Sequence, residues 1–242
     1  MAEYSQYSRQ EVVQKIQRSK ALEGDELSGI DLREAGFPGV ALLDARLKNV
    51  DLGFADLSGA GLTGSVFKGV SLRKANLTGA SIEQCDFKGS DLIEVNLRDA
   101  VLYKVRLEGC AFVNADLRGA RVSHGRFEAT DLYGVKLAGA TLLHVQLSDR
   151  NLGNTSLIRA DLRRAYLVDV DLKDANLREA NLEGAVLMNV DLTGANLTGA
   201  NLSAASLVNV KLFLTNLDGA TLARVGHAGT SFEKASLEGV TW

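Results

Sequence analysis

One residue in every five is a leucine or phenylalanine across nearly the whole chain. The series starts at Leu22 and runs to Trp242, and Leu or Phe fills 41 of its 45 positions. The exceptions are Ile82, Val122, His227 and Trp242, and no insertion or deletion breaks the register. A period of five fits neither an α-helix (3.6) nor a β-strand (2.0). The pattern therefore excludes a long amphipathic helix and an ordinary sheet.

A second pattern follows the first. The residue two places before each large one is small at 41 of 45 positions, and 18 of the 24 glycines lie two places after it. The small and the large residue alternate like the inward side of a very short strand, and the glycine suits a tight corner with positive φ. Repeated corners predict a solenoid whose coils stack by backbone hydrogen bonds, about 4.8 Å apart.

These units resemble the pentapeptide-repeat family, written A(D/N)LXX, over about residues 25–242. Close matches are Ala55-Asp56-Leu57-Ser58-Gly59, Ala75-Asn76-Leu77-Thr78-Gly79, Ala115-Asp116-Leu117-Arg118-Gly119 and Ala195-Asn196-Leu197-Thr198-Gly199. The resemblance implies an all-β solenoid, a right-handed quadrilateral β-helix with four pentapeptides per coil. We therefore expect about eleven coils in a rod roughly 50 Å long.

The N-terminal segment predicts a cap for the first coil. Ser8 and Glu11 have capping-box spacing, and Val12, Val13 and Ile16 form an apolar stripe on a short α-helix that ends near residues 21–24. We assign residues 1–24 to this helix and its lead-in, and residues 25–242 to the β-helix. A membrane or partner helix is the minor alternative.

The C-terminal end is less defined. Trp242 occupies an inward position, where it can plug the last coil. Some members of the family that the chain resembles dimerise through this end, so a homodimer with Trp242 at an end-to-end contact is an alternative to a monomer.

The sequence offers no catalytic constellation. A smooth solenoid has no cleft, and we find no Cys/His metal spacing, phosphate loop or nucleophile elbow. We predict no enzymatic activity, no cofactor and no metal. Cys85 and Cys110 occupy small inward positions and read as buried, inert residues.

Among the exceptions to the inward pattern, two polar residues within the repeats stand out. His227 occupies a large inward position and reads as a local bulge or a polar core filler. Arg150 occupies a small inward position, where an unpaired charge is too costly to bury, so we expect a distorted coil with Arg150 turned outward.

When four units make a coil, residues twenty apart stack on each other. The sequence therefore predicts which side chains are neighbours on the surface. One basic ridge emerges, which could hold an acidic protein surface or phosphate, although a solvated face is the simpler interpretation. It comprises Lys104, Arg106, Arg121, His124, Arg126, His144, Arg163 and Arg164.

The same stacking places an apolar cluster lower on the rod. Outward apolar residues grouped over several coils indicate a protein interface, with random surface apolarity as the rival. The candidate interface comprises Tyr166, Val168, Val186, Met188 and Val208, with Phe213 and Leu214 near the adjoining corner.

An apparent acidic stripe has a structural explanation. Aspartates stack on one predicted face, but Asp before the large residue can bond to nearby backbone. The residues are Asp31, Asp51, Asp91, Asp131, Asp171 and Asp191.

The predicted function is a protein-interaction scaffold with an unidentified protein partner. The alternative implied by the resemblance is a DNA-mimicking protein that protects gyrase, a type II topoisomerase, against quinolones. Direct nucleic-acid binding through the basic ridge is the least favoured reading. The net charge of −3 and the lack of a long apolar run or signal-peptide pattern predict a cytoplasmic protein that does not bind membranes.

Overall fold

Parallel pairing between residues twenty apart defines the architecture. The computed structural model describes residues 7–127, 129–148 and 151–242. Ala21 pairs with Ala41, Ala41 with Gly61 and Gly61 with Ser81, all in parallel. The same twenty-residue step continues through isolated bridges as far as Thr241. Four pentapeptides therefore make one turn of a parallel β-solenoid.

One short helix precedes a series of three-residue strands. The helix is α1 (Arg9–Ser19). Along the chain the strands are β1 (Ala21–Glu23), β2 (Glu26–Ser28), β3 (Ala41–Leu43), β4 (Arg46–Lys48), β5 (Gly61–Thr63), β6 (Val66–Lys68), β7 (Ser81–Glu83), β8 (Val101–Tyr103), β9 (Arg121–Ser123), β10 (Thr141–Leu143), β11 (Gln146–Ser148), β12 (Tyr166–Val168), β13 (Val186–Met188) and β14 (Ser206–Val208).

The interior is filled as the two sequence patterns predict. From Leu22 to Leu222 every described large inward residue is buried, and small inward residues such as Ala75 and Ala160 are fully buried beside them. Aromatic rings fit only where they stack along the axis, as Phe67 and Phe87 do with ring centroids 4.5 Å apart. The narrow core explains why the chain uses Leu and Ala in place of larger side chains.

The corners that the structure describes share one backbone conformation. The described residues two places after the large one, from Gly24 to Gly239, all have φ between +50° and +70°. Fewer than half are glycine; the others include Asn114, His124 and Lys104. Since the left-handed region is unfavourable for residues with a Cβ, stacking of the coils must hold these corners in place.

The turns number about nine, slightly fewer than the eleven coils expected from the sequence. Inward residues after Leu222 are no longer enclosed. Phe232 and Leu237 are half-buried, and His227 is exposed.

Helix α1 covers the first coil. Its capping box is formed, since the Ser8 hydroxyl accepts from the Glu11 N–H and the Glu11 carboxylate accepts from the Ser8 N–H at 2.7 Å. Val12 and Ile16 are buried, and Val13 packs against the core from a partly buried position. The helix ends at Ser19, earlier than the predicted end near residues 21–24, because Lys20 turns left-handed and β1 begins at Ala21.

Two expectations for the last units were wrong. His227 is neither a bulge nor a core filler: the ladder passes regularly through Gly226, and the ring is exposed, with an edge contact to Phe232 at 5.7 Å. Trp242 packs edge-to-face on Phe232 but stays 63% exposed, so it does not plug the coil. A dimer contact through Trp242 stays a prediction.

The aspartate stripe has the structural role expected of it. Each of the six carboxylates accepts a hydrogen bond from the backbone N–H two residues later, such as Gly53 to Asp51 at 2.9 Å and Lys173 to Asp171 at 2.9 Å. The other four donors are the N–H groups of Arg33, Ile93, Tyr133 and Thr193.

Among the residues that the structure describes, no helix is long and apolar enough to span a bilayer.

Candidate docking face

One continuous parallel ladder carries most of the candidate surface. It passes from Arg106 to Arg126 and Gln146, then to Tyr166 and Val186, with one residue contributed by each coil. Successive residues are about 4.8 Å apart, the ordinary spacing of paired strands. The basic Arg106 and Arg126 and the apolar Tyr166 and Val186 therefore share one face of the solenoid.

The apolar part of this face is formed by β12, β13 and β14. Tyr166 pairs with Val186, and Val168 pairs with Met188, which pairs with Val208. These five residues, named here the apolar ladder, lie beside the buried Leu167, Leu187 and Leu207, and Ser206 is on the other side of Leu207. Tyr166 is 49% and Met188 39% exposed, so the ladder presents apolar surface over three adjacent coils.

Phe213 and Leu214 do not join the apolar ladder. They follow Leu212 on the adjoining face, and Leu214 is at the far corner of that face with φ +56°. The Phe213 ring lies under the Lys234 amine at 5.2 Å and lines a separate groove of about 380 Å³ with Lys211 and Glu233. Five of the seven predicted residues therefore lie on one face, and Phe213 and Leu214 lie on the adjoining face.

The basic candidates meet at the corner before the ladder. Six residues of the ridge region line a groove of about 300 Å³, named here the basic groove, over the buried Val105 and Gly125. They are Lys104, Arg106, His124, Arg126, His144 and Gln146. The structure therefore brings five of the eight predicted ridge residues together.

Aromatic stacking orders the corner of the basic groove. The imidazoles of His124 and His144 stack in parallel, with centroids 5.0 Å apart and planes 1° from each other. Tyr103 contacts His124 edge-on at 5.9 Å, and its ring lies under the Lys104 amine at 5.0 Å. The stack follows from the shared left-handed corner position of the two histidines.

The three other ridge residues have different surroundings. Arg163 is held by Asp161, its guanidinium Nη2 donating to Oδ2 at 2.7 Å. Arg164 and Arg163 line a second groove of about 460 Å³ with His144 and Glu183. Arg121 belongs to β9, on the preceding face, so it does not reach the basic groove.

Sequence reasoning missed several residues of this region. Tyr103 supports the histidine stack, and Gly125 forms the floor of the basic groove. Gly184 and Ala204 follow Lys104, His124, His144 and Arg164 in the same corner column. The twenty-residue spacing was the signal that could have found them.

The nucleophilic and metal-binding candidates stay outside this face. Cys85 and Cys110 are free and buried, as predicted, and burial raises the pKa of both thiols to about 11. Within the described ranges, no group of three His, Cys, Asp or Glu side chains could hold a metal ion. Arg150, expected to turn outward from a distorted coil, lies outside the described residues.

Sequence family models match almost the entire solenoid. A model described as pentapeptide repeats, in eight copies, matches residues 26–64, 45–89, 142–178, 165–203, 185–224 and 195–241. A model described as a pentapeptide repeat region matches residues 80–157. No curated protein sequence matches the chain significantly.

Solved structures of repeat proteins are similar to this chain. HetL of the cyanobacterium Nostoc sp. strain PCC 7120, a pentapeptide repeat protein involved in heterocyst differentiation regulation, is 27% identical; the alignment covers 97% of this chain and 96% of HetL, with a TM-score of 0.38. Trypsin-treated QnrB1, a plasmid-mediated fluoroquinolone resistance protein, is 17% identical over 89% of this chain and 90% of its own, with a TM-score of 0.51. A pentapeptide repeat protein from the Arabidopsis thaliana thylakoid lumen is 33% identical over 37% of this chain and 63% of its own, with a TM-score of 0.27. The likeness to QnrB1 shows a shared fold.

Proposed function

The chain belongs to the pentapeptide-repeat family, and on that premise we propose that it is a non-catalytic scaffold that presents one solenoid face to a protein partner. The apolar ladder is the observation that carries this proposal. Side chains of Tyr166, Val186 and Met188 are aligned by strand pairing, so they form a flat strip of apolar surface. Contiguous exposed apolar surface of this kind often marks a protein interface.

Chemistry of the described side chains supports a non-catalytic role. Both thiols have a raised pKa and are buried, so they are poor nucleophiles. The grooves described above lie open on the surface between stacked coils, whereas catalysis needs converging groups that exclude water.

DNA mimicry is the alternative function, and the charge of the chain favours the scaffold over it. Residues 1–30 carry four basic and five acidic side chains, which leaves a net charge of −2 for residues 31–242. A duplex of the length expected for this rod, roughly 50 Å, carries about 30 negative charges. A basic groove at the centre of a face also disagrees with a negatively charged surface.

A gyrase supercoiling assay with a quinolone tests this alternative: protection by the chain would support the mimic.

The scaffold is tested by replacing two residues of the apolar ladder. Val186→Asp with Met188→Asp should abolish capture of a partner from an extract of the source cells and lower the affinity of the purified partner at least about tenfold. The solenoid should still fold, because Asp86 already occupies the ladder column of Val186 in an earlier coil. Surface plasmon resonance measures the affinity, and circular dichroism checks the fold.

The matched control uses the same two positions of an earlier strand. Val66→Asp with Lys68→Asp changes β6, on the same face but six coils away. It should leave partner binding unchanged. Equal binding by both double variants and the native chain would refute the apolar ladder as the docking surface.

A further inference from the structure

Along the solenoid axis, the exposed side chains of this face change step by step from basic to small or apolar. Each coil contributes one corner residue and one ladder residue beside it, and both change from basic to small or apolar. The successive pairs are Lys104 and Arg106, His124 and Arg126, His144 and Gln146, Arg164 and Tyr166, Gly184 and Val186, and Ala204 and Ser206.

The two parts form a single strip because their ladder is unbroken. Five steps separate Arg106 from Ser206, so the strip is about 24 Å long at the spacing of paired strands. An extended peptide of about seven residues spans this length. Gly184 and Ala204 lower the corner beside the apolar ladder, which leaves room for a partner chain to lie along it.

Positive charge at the Arg106 end of the strip determines which chemical groups of a partner can bind there. Lys104, Arg106 and Arg126 converge on the basic groove with His124 and His144. Asp86 is 3.6 Å from Arg106 and offsets part of this charge, while Glu108 is directed to Lys88 at 2.8 Å. Even with Arg126 left out of the count, Lys104 and Arg106 outnumber Asp86 among the described charged side chains at the groove, so carboxylates are its complementary ligands.

We propose that the strip binds a protein segment with acidic residues at one end and apolar residues at the other. The acidic end lies in the basic groove, and the apolar end lies on the apolar ladder. This inference rests on the proposed scaffold function and specifies the chemistry of its partner.

Synthetic fluorescent peptides provide the probe. One peptide has four glutamates, a glycine and then Leu-Val-Leu-Val; a second has the two halves in reverse order; a third has lysines in place of the glutamates. Fluorescence anisotropy with the full chain should show that one glutamate peptide binds at least about tenfold more tightly than the lysine peptide. The affinity of that peptide should fall as salt rises, because the ion pairs are screened.

Charge reversal of the groove tests the site. Arg106→Glu with Arg126→Glu should weaken the glutamate peptide at least about tenfold and strengthen the lysine peptide, a gain that a misfolded variant could not produce. Arg46→Glu is the matched control, since Arg46 occupies the same ladder column three coils earlier, with Glu26 nearby at 3.8 Å. It should leave both affinities unchanged.

The outcomes separate this inference from the function on which it rests. If Val186→Asp with Met188→Asp abolishes binding of the cellular partner but the arginine reversal leaves both that partner and the peptides unaffected, the scaffold stands and the acidic segment is rejected. Absence of binding by both glutamate peptides, or equal binding of the lysine peptide, also rejects it. Tight binding of a DNA duplex that depends on the arginines and not on the apolar ladder would identify a nucleic-acid site instead.

Discussion

Three aspartate–arginine pairs repeat one local geometry along the solenoid. In Asp31–Arg33, Asp116–Arg118 and Asp161–Arg163, the arginine N–H donates to the carboxylate at 2.9, 3.2 and 3.2 Å. The guanidinium then folds back onto the same carboxylate, at 2.6, 2.6 and 2.7 Å. Hydrogen bonds from Arg33 lower the pKa of Asp31 to about 2, and those from Arg118 lower the pKa of Asp116. The turn thus fixes the carboxylate and the arginine together.

Arg118→Gln should raise the pKa of Asp116 toward its ordinary value, because the charged donor is lost. Since the folded-state pKa of Asp116 is lowered, its pairing stabilises the fold above the unfolded-state pKa and this contribution disappears as pH falls through the folded-state value. Carbon-13 NMR titration of the carboxyl group measures the change. Arg98→Gln is the control, because Asn96 there replaces the carboxylate. An unchanged pKa of Asp116 in the first variant would show that the backbone alone sets it.

The inward side chains of each pentapeptide pack against those of its neighbours, and at Gly125 this packing leaves no room for a methyl group. A Cβ at this buried position would lie 2.9 Å from Cγ1 of Val122 and 3.2 Å from Cε2 of Phe127. Other units place a larger residue here even beside phenylalanine, as in Ser65-Val66-Phe67. In this unit the added Cβ has no room, so Gly125 and Phe127 share one volume of the interior.

Gly125→Ala should lower the free energy of unfolding by about 1–3 kcal/mol, because the interior is already filled. Phe127→Leu in the same chain should remove most of that loss, giving a favourable coupling energy in a double-mutant cycle. Urea unfolding followed by circular dichroism measures both. Gly36→Ala, where a Cβ would meet nothing within 4 Å, is the control and should change stability little. Additive effects of the two core substitutions would contradict the shared-volume explanation.

A turn of twenty residues sets the register of the whole molecule. Residues twenty apart share a column, so a shift of five residues moves every later side chain by one face. The proposed strip depends on this, since Arg126 and Val186 are three coils apart and meet one partner only while the count between them is kept. Binding specificity is therefore a property of the register of the coils as well as of the side chains.

Deletion of residues 156–160 should leave a folded solenoid but move the apolar ladder to a different face from the basic groove. Affinity for the tighter glutamate peptide should then fall to that of a peptide carrying the glutamate half or the apolar half alone. Deletion of residues 46–65, one complete turn outside the strip, should keep full affinity. Circular dichroism and fluorescence anisotropy measure fold and binding. Full affinity after the five-residue deletion would show that the two parts act independently.

Much of this protein could be predicted from its sequence because the period of five is simple. The Leu22-to-Leu222 series fixed the inward side of each unit, and Ser8 with Glu11 marked the start of the helix. The end of the helix at Ser19 was missed, since the competing β1 pairing with β3 is a long-range contact. Left-handed corners at His124 and Lys104 were also missed, because local propensity disfavours them and only stacked coils impose them.

The candidate site was also predicted from the sequence only in part. Periodicity alone determined which side chains face outward, and a twenty-residue turn then placed Arg106 and Tyr166 in one column. Only the tertiary structure decided that Arg163 is held by Asp161 and that His124 and His144 stack. The physical reason is that burial follows a one-dimensional pattern along the chain, whereas contacts among exposed side chains depend on how neighbouring coils align.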